Sequence, residues 1–202
     1  MREENLKSQV SGLKSIGIFG GTFNPVHLGH TMVAQSALEE LALDRLFIIP
    51  AARSPFKPED APAPAAVRLE WLRLAFAEMA GCEIDAQEIE REGVSYSIDT
   101  VRAVAERFPD AELFYLIGAD HVPTLPEWRE AEALARLATF VVIPRLGETE
   151  NQFPEPFRGR VLRGQPVEIS ASDIRARLRE GKSIEQLVPP GVAVALKTGH
   201  IY

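Results

Sequence analysis

The chain has 202 residues, of which 46% are hydrophobic and 25% are charged, and this composition is typical of one globular domain with a substantial core. Its formal net charge of −7 argues against nucleic acid as the main partner, because no basic surplus exists to displace counterions along a phosphate backbone. The single cysteine, Cys82, excludes an internal disulfide framework and a cysteine-based zinc site, and it is interpreted as a half-buried strand residue.

The domain organisation is expected to be simple. Residues 1–15 read as a polar tail without an apolar core of signal-peptide length, and residues 16–202 as a single domain. No run of residues approaches the length of a membrane span. A cytoplasmic enzyme that does not act at a membrane is therefore expected, and its oligomeric state, including a homo-oligomer, is left open.

The most informative stretch runs from Gly20 to His30, directly after the apolar run Ile16–Phe19. It precedes residues 28–43, whose apolar side chains recur at helical spacing, so the stretch is a predicted strand-to-helix turn. In an open parallel sheet such a turn lies where ligands bind, and the first turn of the helix offers unpaired N–H groups to an anion. Phosphate is the expected ligand.

The residue types in this turn fit a phosphate site. Gly20 and Gly21 allow a close approach of the backbone and permit positive φ, while Gly29 leaves room beside the second histidine. His27 and His30 share a helical face and can donate hydrogen bonds to one polyphosphate. The alternative is a tight turn with two surface histidines. It does not explain why two glycines, a proline and a spaced histidine pair all occur at one strand-to-helix junction. Neither the P-loop nor the dinucleotide signature is present.

The next segments predict a βαβ unit and a long loop. Residues 45–50 read as the second strand, and the proline-rich residues 51–64 as a loop at the carboxyl edge of the sheet. Lys57 in this loop can place an ammonium group on a phosphate, or it can be a solvated lysine; the residues alone do not decide. An amphipathic helix follows over residues 65–79, in which Arg68 and Arg73 are predicted at the surface.

Residues 82–100 predict a strand, a charged turn and a helix start. The strand covers residues 82–86, and the charge run over residues 88–93 is interpreted as a solvated face. Ser97 and Asp99 suit the amino end of the next helix, where capping alone would explain them.

The fourth strand, residues 112–118, ends at a further group of candidate residues. Asp120 can accept hydrogen bonds from a ribose or cap a short helical region over residues 125–136, and His121 is interpreted as an exposed turn residue. Pro126 suits the first turn of that helix and places Trp128 near the mouth of the site. Trp128 is either a core residue or a platform for a flat cationic ring.

A second strand-to-helix junction is predicted at Ile169 and Ser170, beyond the buried strand over residues 139–145 and the loop that follows that strand. Ser170 and Asp173 form a pair resembling a capping box, and Arg175 follows about one and a half turns into the helix. A guanidinium matches phosphate oxygens with a planar fork, so Arg175 is a phosphate candidate, whereas Arg177 and Arg179 are interpreted as solvated.

The alternation of buried strands and amphipathic helices predicts an α/β fold. We expect a Rossmann-like, doubly wound parallel sheet with helices on both faces and a small C-terminal helical part.

Several motifs together resemble one enzyme family. Gly-Gly-Thr-Phe-Asn-Pro-Val-His-Leu-Gly-His and Ile-Ser-Ala-Ser-Asp-Ile-Arg resemble the signatures of the nucleotidyltransferase superfamily. Leu-Ile-Gly-Ala-Asp and Leu-Pro-Glu-Trp resemble nicotinate-nucleotide adenylyltransferases more specifically. The Gly-His-Ile-Tyr ending is also similar, so the resemblance covers residues 16–202. The loop departs from the family pattern of Pro-His-Lys, because Phe56 replaces the histidine while Lys57 matches.

The resemblance implies roles for individual residues. It implies that Ser97 helps to bind the pyridine substituent and that Trp128 stacks on the pyridine ring, with Asn24 and Arg129 also on the acceptor side. It implies catalytic roles for His30, His27, Lys57 and Arg175. The ATP-binding residues that it implies are Gly20, Gly21, Thr22, Phe23, His27, His30, Asp120, Ile169, Ser170, Ser172 and Arg175.

The reaction implied is transfer of AMP from ATP to nicotinate mononucleotide, by direct attack and without a covalent enzyme intermediate. Mg²⁺ is expected to arrive on the phosphates of ATP, since no cluster of carboxylates in the sequence forms a cage for it. Nicotinamide mononucleotide is the nearest alternative acceptor, and phosphopantetheine and the cytidylyltransferase substrates fit less well. A non-catalytic nucleotide sensor is the alternative from another class. A tRNA-charging enzyme is disfavoured by the short, acidic chain.

Overall fold

A parallel sheet forms the centre of the chain. The computed structural model describes residues 12–56, 62–144, 152–164, 169–199 and 201–202. Within these ranges the sheet has six strands in the order β3-β2-β1-β4-β5-β6, and all neighbouring pairs are parallel. The strands are β1 Ser15–Gly21, β2 Arg45–Pro50, β3 Cys82–Ile84, β4 Glu112–Gly118, β5 Thr139–Ile143 and β6 Gly159–Val161. This order confirms the predicted Rossmann-like, doubly wound fold.

Helices connect these strands and cover both faces of the sheet. They are α1 Leu28–Glu40, α2 Ala65–Phe76, α3 Gln87–Arg91, α4 Ser97–Arg107, a 3-10 helix Ala119–Glu127, α5 Ala131–Leu137, α6 Ala171–Arg179 and α7 Pro190–Gly199. Helices α6 and α7 form the predicted C-terminal helical part.

Alternation of side chains along each strand divides the core into two layers. In β2, Leu46 and Ile48 point into the layer formed by α1, α2, α6 and α7, whereas Phe47 and Ile49 point into the layer formed by α4, α5 and the 3-10 helix. All four side chains are fully buried. Burial on both faces explains why the strand reads as a continuous apolar run.

The region after β4 differs from the prediction. Pro126 does not start a helix: it lies near the end of the 3-10 helix, and Trp128 follows that helix. The 3-10 helix also contains Pro123, and prolines are tolerated poorly inside an α-helix because they lack the N–H group. The regular helix α5 begins only at Ala131.

Two charged residues that were predicted at the surface are buried. Arg68 is 2% exposed, and it donates hydrogen bonds from Nε to the Ala63 carbonyl (3.0 Å) and from Nη1 to the Thr22 carbonyl (2.9 Å). Glu88 is 5% exposed and accepts a hydrogen bond from the Thr100 hydroxyl. Burial raises the pKa of the Glu88 carboxyl group. Both predictions were wrong because the hydrogen-bond partners that allow burial cannot be seen in the local sequence. Arg68 binds backbone carbonyl groups, and Glu88 binds the side chain of Thr100, twelve residues away.

Cys82 lies half-buried in β3, as predicted. Burial raises the pKa of its thiol to about 11, so the reactive thiolate is scarce at neutral pH. Among the described residues, no helix combines the length and the apolar character that crossing a membrane requires.

Replacing Arg68 by methionine is expected to destabilise the fold. The change leaves the carbonyl groups of Ala63 and Thr22 without these donors, and each buried unsatisfied group costs roughly 1 to 3 kcal/mol. The free energy of unfolding, measured by denaturant titration, should fall by about 2 to 5 kcal/mol. Arg73→Met, at an exposed position of the same helix, is the matched control and should change it by less than about 0.5 kcal/mol. Equal effects of the two substitutions would contradict the structural role of Arg68.

Candidate active site

A cleft opens at the carboxyl ends of β1 and β4, where the strand order reverses. Its volume is about 440 Å³. Helices that follow the two strands lie on opposite faces of the sheet, which is why a crevice forms between them. All but one of the residues predicted to bind ATP line this cleft, namely Gly20, Thr22, Phe23, His27, His30, Asp120, Ile169, Ser170, Ser172 and Arg175. Gly21 is not in the lining.

The glycines of the first turn provide space rather than unusual backbone angles. A Cβ atom at Gly20 would lie 3.2 Å from the Tyr115 hydroxyl, and one at Gly21 would lie 3.1 Å from the Phe23 ring. Neither glycine has positive φ, whereas Phe23 does (48°). Gly29 makes room for the first histidine and not, as predicted, for the second, because a Cβ atom there would lie 3.0 Å from His27 Nδ1.

The two histidines of the turn lie side by side at the start of α1. Their ring centroids are 3.7 Å apart, and His27 is 8% exposed, so the alternative of two surface histidines is wrong. The backbone N–H of His27 donates to His30 Nδ1 (3.1 Å). That bond requires an unprotonated Nδ1 and therefore places the proton of neutral His30 on Nε2.

Burial keeps both imidazoles neutral. It lowers the pKa of His27 to about 4 and the pKa of His30 well below its usual value, and the proximity of His27 lowers the latter further. The rings of Phe19 and Phe23 enclose His30, with centroids at 6.0 and 4.9 Å. Among the described residues, His27 Nδ1 is buried without a hydrogen-bond partner. The pair can thus donate hydrogen bonds to a phosphate without first acquiring charge.

Helix α6 brings a second amino terminus and a cation to the same cleft. The Ser170 hydroxyl accepts a hydrogen bond from the Asp173 N–H (3.1 Å), which confirms the predicted cap. Arg175 turns toward the first motif: its Nη1 donates to the Asn24 carbonyl (2.8 Å) and its Nη2 to the Ser172 hydroxyl (3.2 Å). Donors from both ends of the sequence therefore converge on one space.

Of the four residues predicted on the acceptor side, Asn24 lines this cleft, whereas Ser97, Trp128 and Arg129 are not in its lining. Ser97 accepts a hydrogen bond from the Tyr115 hydroxyl (2.9 Å). Trp128 is half-buried and packs edge to face against Tyr115, with centroids 6.3 Å apart. Arg129 is exposed, and its guanidinium lies over the Tyr96 ring at 4.7 Å.

An aromatic group forms around Trp128, one of the residues predicted on the acceptor side. Phe56 is 51% exposed, and its ring centroid lies 4.9 Å from that of His121 and 5.4 Å from that of Trp128. His121 is half-buried and lines the cleft, so its interpretation as an exposed turn residue is wrong. Phe56 thus packs as an apolar ring at the position where the sequence motif departs from its family pattern.

Two further points concern cations. Lys57 lies outside the described residues, although Ser54 and Pro62 on either side of it line the cleft. Across the described ranges, no group of three or more histidine, cysteine, aspartate or glutamate side chains could hold a metal ion.

Comparisons with known proteins identify the family of this chain. Residues 18–177 match the family model described as cytidylyltransferase-like. A protein of Gemmatimonas aurantiaca named a probable nicotinate-nucleotide adenylyltransferase is 41% identical over 194 residues, covering 93% of this chain and 92% of the relative. A Thermus thermophilus protein of the same name is 40% identical and covers 93% and 98%. The chain belongs to the nicotinate-nucleotide adenylyltransferase family.

A solved structure supports the fold. The nicotinic acid mononucleotide adenylyltransferase of Plasmodium falciparum, complexed with NaAD, superposes with a TM-score of 0.75 at 17% identity, covering 94% of this chain and 97% of that one. At this identity the likeness concerns the fold alone.

Sequence analysis missed Tyr115, which joins the two parts of the site in this member of the nicotinate-nucleotide adenylyltransferase family. It lies in the buried strand β4, and its hydroxyl faces Gly20 and donates to Ser97. Burial raises the pKa of Tyr115 well above its usual range, so the hydroxyl remains a donor. The available signal was a side chain with a polar tip at the middle of a buried, mostly apolar strand.

The buried histidines predict a loss of stability in acid. The pKa of His27 is about 4 in the folded chain against a reference value of 6.5, so the unfolded chain binds a proton first as the pH falls. Neutral His27 contributes fully to the free energy of unfolding above pH 6.5. This free energy falls by roughly 3 kcal/mol in total as the pH falls from 6.5 towards 4.

Denaturant titrations of the wild type and of His27→Gln at several pH values would test this. Glutamine does not titrate, so the variant should lose less stability than the wild type between pH 6.5 and 4. Parallel losses in the two proteins would show that the pKa of His27 is not lowered by burial.

Proposed function

We propose that the chain transfers the AMP moiety of ATP to nicotinate mononucleotide, forming nicotinate adenine dinucleotide and releasing pyrophosphate. The observation that carries the proposal is the convergence of two helix amino termini, a neutral histidine pair and Arg175 on one cleft. The names of relatives at 41% and 40% identity support the choice of acceptor.

The chemistry is a direct displacement at phosphorus. A phosphate oxygen of the mononucleotide attacks the α-phosphorus of ATP, an O–P bond forms, and the bond from the α-phosphorus to the bridging oxygen breaks as pyrophosphate leaves. A phosphate monoester is largely dianionic at neutral pH, so the attacking oxygen needs no general base. The task of the protein is positioning and stabilisation of charge.

Neutral imidazoles suit this task. The Nε2–H of His30 is oriented by the bond that Nδ1 accepts, and it is assigned to the charge that develops at the reacting phosphate. His27 and Arg175 are assigned to the outer phosphates, together with the N–H groups at the start of α6. Lys57 is likewise assigned to the outer phosphates. Mg²⁺ belongs to the MgATP substrate.

The acceptor is assigned to the neighbouring aromatic group formed by Phe56, His121 and Trp128. Trp128 offers a ring face for the pyridine ring, which in the mononucleotide is cationic and therefore favours an electron-rich surface. Ser97, oriented by the Tyr115 hydroxyl, is assigned to the pyridine substituent. Arg129 Nη1 lies 3.8 Å from Asp99 Oδ2, and this carboxylate offsets part of the positive charge of the arginine. The proposal includes a cytoplasmic location and leaves the number of subunits open.

Pyrophosphate release measured with MgATP, and with nicotinate and nicotinamide mononucleotides in parallel, tests the reaction. A strong preference for the acid is expected. Comparable rates would indicate dual specificity. No release with either acceptor, while MgATP still binds, would overturn the proposal in favour of another acceptor or of a nucleotide sensor.

His30→Ala tests the assigned mechanism. Loss of one oriented donor to the reacting phosphate should lower kcat by about 10²- to 10³-fold. Gln35→Ala, on the exposed side of the same helix, is the matched control and should leave kcat unchanged. Circular dichroism would verify that both variants are folded. Wild-type turnover in folded His30→Ala would remove His30 from the mechanism.

A further inference from the structure

Asn24 connects three distant parts of the chain at the edge of the cleft. Its side-chain Oδ1 accepts hydrogen bonds from the Ala63 N–H (3.0 Å) and from the Tyr202 hydroxyl. Its backbone carbonyl accepts the bond from Arg175 Nη1 (2.8 Å). One residue of the phosphate-binding turn is therefore held by the loop after β2 and by the segment after α7, and it in turn holds the guanidinium of α6.

Tyr202 is well placed to act as a permanent donor in this group. Its ring is half-buried beside Trp71, with centroids 6.1 Å apart, and it packs against the core layer that contains α2 and α7. Burial raises the pKa of its hydroxyl to about 12, although the charges of Arg175 and Arg68 lower it. The hydroxyl therefore keeps its proton at neutral pH. Tyr202 is not among the residues that line the cleft.

The buried Arg68 fixes the same turn from the other side. It donates to the carbonyl groups of Thr22 and Ala63. Thr22 lies two residues before Asn24, and Ala63 donates its N–H to the Asn24 side chain. Thr22 and Ala63 are thus anchored to α2, while Tyr202 anchors the Asn24 side chain. Because the turn is short, these hydrogen bonds on either side of Asn24 also restrain the position of its backbone carbonyl.

We propose that Tyr202 is a positioning residue for the phosphate site, acting through Asn24 to fix the orientation of Arg175. This inference rests on the proposed function only in assigning Arg175 to the phosphates of ATP. Without the hydroxyl, the Asn24 side chain loses one of its two donors and the turn gains freedom. Arg175 then keeps the Ser172 hydroxyl as a fixed partner, while its partner at the Asn24 carbonyl moves.

A double-mutant cycle between Tyr202→Phe and Arg175→Ala tests this coupling. Phenylalanine retains the ring that packs beside Trp71 and removes only the hydroxyl. In the wild-type background, kcat/KM for ATP should fall about five- to tenfold, in keeping with one lost hydrogen bond. In the Arg175→Ala background, the same substitution should change kcat/KM by less than about twofold, because its effect passes through the arginine.

Thr198→Ala is the matched control for the removal of a hydroxyl. Thr198 lies in α7, and its hydroxyl donates to backbone carbonyls of the same helix, at Val194 and Ala195. This variant should retain the wild-type kcat/KM. Circular dichroism of all four proteins of the cycle would establish that they are folded.

Calorimetric titration with MgATP alone separates this inference from the proposed reaction. The same coupling should appear in the affinity for MgATP without any acceptor, even if the acceptor has been assigned incorrectly. An equal fall on both backgrounds would reduce Tyr202 to a general structural role and overturn the inference. An unchanged affinity and an unchanged kcat/KM in Tyr202→Phe would overturn it as well.

Discussion

The parallel pairing of β1 with β4 is the constraint on which the rest of the structure depends. Ser15 pairs with Glu112 and Phe19 with Leu116, while the other edge of β1 pairs with β2. The chain continues from β1 to one side of the sheet and from β4 to the other, and crossovers of one hand then place the following helices on opposite faces. The turn that carries the histidines and the 3-10 helix that carries Asp120 therefore meet at one edge, where the amino end of α6 joins them.

Desolvation gives this edge its chemical character. His27 and His30 are held neutral by burial, so they offer N–H groups without a positive charge, and a hydrogen bond to Nδ1 orients the N–H of His30. Positive charge comes instead from the two arginines that line the cleft, Arg53 and Arg175, and the guanidinium of Arg175 is fixed by two hydrogen bonds. The histidines thus provide hydrogen-bond donors, whereas arginine provides positive charge. Both kinds of group are in place before a substrate binds.

The parts of the site that could be predicted from sequence are local in the chain. The turn from Gly20 to His30 and the cap of α6 each lie within a short run of neighbouring residues, so motif and spacing suffice. Arg68 was misplaced, although it lies three and four residues before Trp71 and Leu72 and so shares their buried face. The contact between Tyr202 and Asn24 spans 178 positions, and no local pattern encodes such a pair.

The hydroxyl of Tyr115 has a consequence for how the two halves of the site can change. It faces Gly20 at the carboxyl end of β1 and donates to Ser97 at the start of α4, and it is carried by a central strand of the sheet. The spacing between Gly20 and Ser97 is thus set by the central strands of the sheet, whereas Phe56 lies outside the sheet. On the proposed assignment, a substitution of Phe56 would change the surface that receives the pyridine ring without changing the distance of that surface from the nucleotide.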